Sequence, residues 1–133
     1  MEVTLTMYMK IPTVNEWERK ARQHWGYQKR WKDRGLAHIW VAVKQAGLEK
    51  IETPCVMQPH IYKKHGNIAD PNNYTTPINK IFIDSLTAPK PPKKRGLALL
   101  PDDTAEYITH ADPIIHYGAA KDRVVLVFTP RGK

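Results

Sequence analysis

The sequence is short of residues that cross-link, span or carry negative charge. Its 133 residues include one cysteine, Cys55. That excludes an internal disulfide and a cysteine zinc cluster, and leaves Cys55 as a small buried hydrophobe on a strand. No apolar run approaches the ~20 residues of a membrane-spanning helix, and the N-terminus lacks a signal-peptide core. A soluble, cytoplasmic protein with no membrane partner is expected. Carboxylates are scarce: 13 Asp and Glu stand against 21 Lys and Arg, a net charge of +8 with a pI near 9.6. Proteins this basic bind nucleic acid or anionic membrane, or are ribosomal in character, and nucleic acid is the partner expected here. Internal repeats are also missing, and the length suits one core, so residues 1–133 read as a single domain.

Period-two alternation of Val3, Leu5, Met7 and Met9 with polar residues marks a half-buried strand closed by Pro12. Thr13 or Asn15 can cap the helix that follows. From Glu16 to about Gly47 the pattern is helical, with Leu36, Ile39, Trp40 and Val43 as one buried face and Gly35 as a bend or interruption. Its first half carries a thin stripe of Trp17, Ala21 and Trp25 among many bases. The tryptophans read as packing, whereas Asn15, Arg19, Lys20, Arg22, Lys29 and Arg30 read as DNA contacts.

Residues 51–63 form a second strand with Ile51, Thr53, Cys55, Met57 and Ile61 on one parity. Pro54 and Pro59 predict an edge or bulged position for it. His60 and His65 are candidate metal ligands, with phosphate contact or plain surface as the rival reading, and Lys63 and Lys64 are candidate DNA contacts. Thr76-Pro77 reads as N-cap and first residue of a short helix buried through Ile78, Ile81, Phe82 and Leu86. Residues 88–96 form an extended proline-rich basic loop, whose Lys93, Lys94 and Arg95 can reach DNA. Residues 104–108 suggest a helical turn capped by Asp103. Ile114–Tyr117 and Val124–Phe128 read as closing strands, a hairpin through 118–122, the second buried on both faces. The fold class is α/β (α+β): a small mixed sheet of about four strands packed with two main helices.

Chemistry concentrates in the stretch from Asp70 to Asp103. Asp70-Pro71-Asn72-Asn73 precedes the helix bearing Lys80, and Leu100-Pro101-Asp102-Asp103 follows the loop. Oxygen ligands from Asp70, Asn72, Asp102 and Asp103 suit Mg²⁺, with Mn²⁺ as substitute, and Lys80 can neutralise charge developing on a phosphate. The same sequences also make ordinary turns and caps, in which Asp and Asn bond their own backbone.

The order of these elements resembles the RusA family of Holliday junction resolvases, its phage-borne branch above all, over nearly the whole chain. The resemblance rests on Asp-Pro-x-Asn at 70–73 together with Leu-Pro-Asp-Asp at 100–103. It implies a small α/β homodimer that nicks branched DNA, four-way junctions included, as a Mg²⁺-dependent endodeoxyribonuclease in DNA recombination and repair. The implied setting is the cytoplasm of a bacterium or a phage-infected host. On it Asp70, Asp103 and Lys80 become catalytic, Asp102 and Asn72 become auxiliary metal ligands, and Asn73 a DNA contact. The family's lysine lies a few residues earlier in the helix than Lys80, about one turn away on the same face. Asn72 stands where many members have aspartate, and the basic loop is an insertion. Two rivals follow: a catalytically weak or inactive binder of branched DNA on the same scaffold, and an RNA-binding accessory protein.

Overall fold

The structure is a computed structural model that describes residues 2–24, 26–48, 50–65, 70–87, 97, 99–100 and 106–131. It is an α+β fold, one mixed sheet packed on one face by helices. Strand β1 (Val3–Met7) is followed by helices α1 (Val14–Gln23) and α2 (Gly26–Ala46), then strand β2 (Cys55–Lys63). A helical run over 71–86 leads to three further strands, β3 (Ile108–His110), β4 (Ile114–Tyr117) and β5 (Arg123–Pro130). Among the described residues no helix is long and apolar enough to cross a membrane.

The sheet order is β1-β5-β2, with β3 and β4 both on the far side of β2. The expected four strands thus become four columns, the last divided into two short pieces. β5 runs antiparallel to both β1 and β2, pairing Leu5 with Leu126 and His60 with Val125. The expected hairpin between the last two strands does not form: β4 lies parallel to β2 on the side opposite β5. A parallel neighbour needs a crossover connection, and the helical run at 71–86 lies within it. Ile108, expected in a helical turn, begins β3 instead.

β2, expected at an edge or bulged, is instead paired along both sides. Its odd-numbered residues turn their backbone groups toward β3 and β4: the Cys55 N–H donates to the Tyr107 carbonyl, and Met57 and Lys63 carbonyls accept from Ala111 and Ala119. Pro59 shares that parity, so its missing N–H faces residues 111–113, the break between β3 and β4. Proline is tolerated in an interior strand because its neighbour is interrupted there. The Gln58 side-chain amide bridges the break by donating to the Asp112 carbonyl.

One sheet face carries Leu5, Met7, Cys55, Met57, Ile61, Val124, Leu126 and Phe128, all buried. Val125 and Val127 on the other parity are only half-buried, so β5 is fully enclosed on one face alone. Cys55 is the buried small hydrophobe expected, 2% exposed.

Two helices replace the single long one. The Thr13 hydroxyl and Glu16 carboxylate form a capping box at the start of α1. The chain then turns extended at His24, whose Nδ1 accepts the Gly26 N–H at 3.0 Å and so caps α2. α2 runs uninterrupted through Gly35, which serves close approach rather than bending. A Cβ there would lie 2.2 Å from the Ile81 Cγ2 and 3.0 Å from its carbonyl oxygen. The buried stripe of α2 is therefore Gly35, Ile39, Ala42 and Val43. Trp40, one position round the helix, is 51% exposed beneath the Lys44 ammonium. Trp17 is buried and stacks on Trp31 at 5.7 Å, the packing role expected of it, while Trp25 lies outside the described residues.

The run at 71–86 starts earlier than Thr76-Pro77. Asp70 is its N-cap and Pro71 opens a 3₁₀ turn over Pro71–Tyr74, continuing as α over Thr75–Ile78. A π-helical turn at Asn79–Ile83 then places Ile81, Phe82 and Ile83 all in the core. This inserted turn widens the buried face just where Gly35 presses against it.

Two measurements test this packing. Gly35→Ala gains helix propensity yet loses about 1–3 kcal/mol by overpacking, seen as a lower denaturant midpoint. His60, on the uncovered sheet face, is pushed below its usual 6.5 by burial and then by His116. Because the unfolded chain takes up the proton first, stability falls as pH drops from about 6.5 toward the lowered value and levels off below it. His60→Gln flattens that part of the stability–pH curve.

Candidate nucleic-acid interface

Because β1 and β2 both oppose β5, they end together beside the residue that starts β5. Charges bounding three apolar strands therefore meet at one end of the sheet. The result is a cleft of about 190 Å³ lined in part by Lys10, Glu16, Lys63, His65, Asp122 and Arg123. Lys10 follows β1, Lys63 closes β2 with His65 just beyond, and Arg123 opens β5.

Its two carboxylates are engaged by backbone. Glu16 accepts from the Thr13 N–H at 3.3 Å, and Asp122 accepts from the Lys64 N–H at 2.9 Å. The Lys63 ammonium lies 5.8 Å from the Tyr74 ring centroid and 5.9 Å from that of Tyr117. The Arg123 guanidinium covers the Tyr62 ring at 3.9 Å. Aromatic surface thus flanks both cations at the cleft. Three permanent cations over two backbone-bound carboxylates favour an anionic ligand.

The structure brings together some of the expected residues. The Asp70 side chain accepts the Asn72 N–H at 2.9 Å, and the Asn73 N–H donates to the Asp70 carbonyl at 3.0 Å. The turn-and-cap reading of this stretch is therefore realised. Asp70, Asn72 and Lys80 are exposed, Asn73 half-buried. Tyr74, four residues past Asp70, is buried and lines the cleft, whereas Asp70, Asn72, Asn73 and Lys80 are not among its lining residues. Asn15, Arg19, Arg22, Lys29 and Arg30 are exposed on α1 and α2, as a DNA-facing role requires. Lys20 and Arg30 both approach the Tyr27 ring, at 4.9 and 5.2 Å, and Lys29 pairs with Asp33 at 3.1 Å.

Asp102 and Asp103 lie outside the described residues, as do Lys93, Lys94 and Arg95. Among the described residues no group of three or more His, Cys, Asp or Glu is placed to hold a metal ion. Sequence reasoning missed Lys10, Tyr74, Asp122 and Arg123. The available signal was position, since Lys10 and Arg123 flank apolar alternation at strand ends that antiparallel pairing makes neighbours.

No protein-family model matches the chain, and no curated protein is significantly similar to it.

The environment of Cys55, on the sheet that positions the cleft, gives a direct check of native packing. Burial raises its thiol pKa, partly opposed by Arg131. Since the thiolate is the nucleophile, Cys55 reacts with iodoacetamide far more slowly in the native protein than in denaturant. Fast native alkylation at neutral pH contradicts the packing described.

Proposed function

We propose that the protein is a Mg²⁺-dependent endodeoxyribonuclease of branched DNA, acting as a homodimer in the manner of the RusA-family resolvases it resembles. The observation that carries this reading is the cationic cleft at the end of the sheet, lined by Tyr74 of the helical run that Asp70 caps. The exposed bases of α1 and α2, and an overall charge of +8, extend the surface available to a phosphate backbone.

Within this reading Lys10, Lys63 and Arg123 bind and orient the backbone, and Lys80 offsets charge at the scissile phosphate. The Asp70 turn provides one carboxylate and the neighbouring Asn72 amide. One or two carboxylates together with substrate phosphate suffice for Mg²⁺, so these residues fit such an ion, with Asp102 and Asp103 as further ligands. When bound, the ion supplies an acidified water and Lewis-acid stabilisation of the leaving oxygen.

A second reading has a specific observation in its favour. The Asp70 carboxylate already serves as a cap for the Asn72 N–H, and Asn72 brings no charge. Both features suit a protein that binds branched DNA without cutting it.

Asp70→Asn separates the two, because asparagine caps as well as aspartate whereas Asp70→Ala costs about 1 kcal/mol. The expected result is Mg²⁺-dependent paired nicking of a labelled four-way junction by wild type, lost in Asp70→Asn with folding and junction affinity kept. Junction binding without nicking in either protein supports the binder, and tighter binding of single-stranded RNA in competition rejects both. Junction affinity falls linearly on a log–log plot against salt, and Lys10→Gln lowers that slope by about 1.

A further inference from the structure

Strands β2, β4 and β5 place a second cluster on the sheet face away from the helices. In register, Tyr62 pairs with His116 on one side and Arg123 on the other, while His60 is one step back along β2. The His116 ring lies flat on Tyr62, with centroids 4.3 Å apart and planes 9° apart. Arg123 covers Tyr62 from the β5 side. His116 is thereby held by an aromatic contact on a paired strand, and its Nε2 lies 3.0 Å from His60 Nδ1. Both histidines are half-buried.

We propose that His60 and His116 chelate a divalent transition-metal ion, with Cu²⁺ and Ni²⁺ preferred over Zn²⁺. Imidazole nitrogens bind such ions at about 2.0–2.1 Å. At that length, a nitrogen separation of 3.0 Å sets an N–metal–N angle of about 91–97°. Cis positions of square-planar or octahedral ions have that angle, whereas a tetrahedral ion needs nitrogens roughly 3.3–3.4 Å apart. In the absence of metal the same nitrogens share one proton as a hydrogen bond, which the ion displaces. Among the described residues no third His, Cys, Asp or Glu joins the pair. The ion ties β4 to β2 across the weaker, divided side of the sheet. The hard Mg²⁺ of the nuclease reading is a poor match for two imidazoles, so this site stands independently of that reading.

The test is calorimetric titration of metal-free protein with Ni²⁺, Cu²⁺, Zn²⁺ and Mg²⁺, alongside thermal unfolding with each ion. One equivalent of Ni²⁺ or Cu²⁺ is expected to bind and raise the melting temperature, Zn²⁺ more weakly and Mg²⁺ not at all. His60→Ala and His116→Ala each reduce affinity at least about tenfold, while His38→Ala leaves it unchanged. Equal binding by wild type and both variants, or no binding up to roughly 1 mM metal, overturns the proposal. Should a variant fail to fold, trace Cu²⁺ added to wild type must first broaden the His60 and His116 ring resonances in NMR spectra. Broadening that begins at other histidines equally overturns it.

Discussion

The structure depends on the register of β2 against β5. That ladder joins eight residue pairs from Cys55 opposite Pro130 to Tyr62 opposite Arg123. Because side chains alternate, a slip of one residue would turn Cys55, Met57 and Ile61 outward and drive His60 and Tyr62 into the core. The same register sets Arg123 beside the end of β2 and so forms the cleft. It also aligns Arg123, Tyr62 and His116 on the opposite face. One pairing thus specifies the apolar core, the anion-attracting cleft and the histidine pair together.

Helix packing is a second constraint, concentrated where Gly35 meets Ile81. The missing side chain lets α2 approach the backbone of the π-helical turn, and that turn puts three consecutive residues, Ile81, Phe82 and Ile83, into the core. A regular α-helix would rotate one of the three away by 100° steps. The helical run is anchored at its start by Asp70, so the residue proposed for chemistry also holds the local fold. Such dual use explains why asparagine at position 70, which keeps the cap, separates the roles better than alanine.

Local pattern made much of this legible. The alternation in β1, the inward parity of β2, the capping role of Thr13 and the burial of Cys55 all follow from period and side-chain type. What escaped reading depends on partners distant in sequence. Pro59 argued for an edge because nothing local reveals that the adjacent column breaks opposite it. Gly35 looked like a helix breaker because only the approach of Ile81 shows its purpose. Its spacing puts Trp40 in a buried stripe, but the stripe centres on Gly35 and Ile39 and leaves it outside. In the site, the Asp70 turn and the basic helices could be picked out by residue type. The cleft could not, because Lys10, Lys63 and Arg123 become neighbours only through the antiparallel order of three strands.

Dividing the last column of the sheet has a further effect. β3 spans three residues and β4 four, and between them Pro113 offers no N–H. A continuous border would present a long row of open amides and carbonyls able to recruit a strand from another molecule. Here each piece is too short to template that addition, and the intervening proline interrupts any attempt to run across both. The sheet is thereby guarded on this side against strand-by-strand polymerisation.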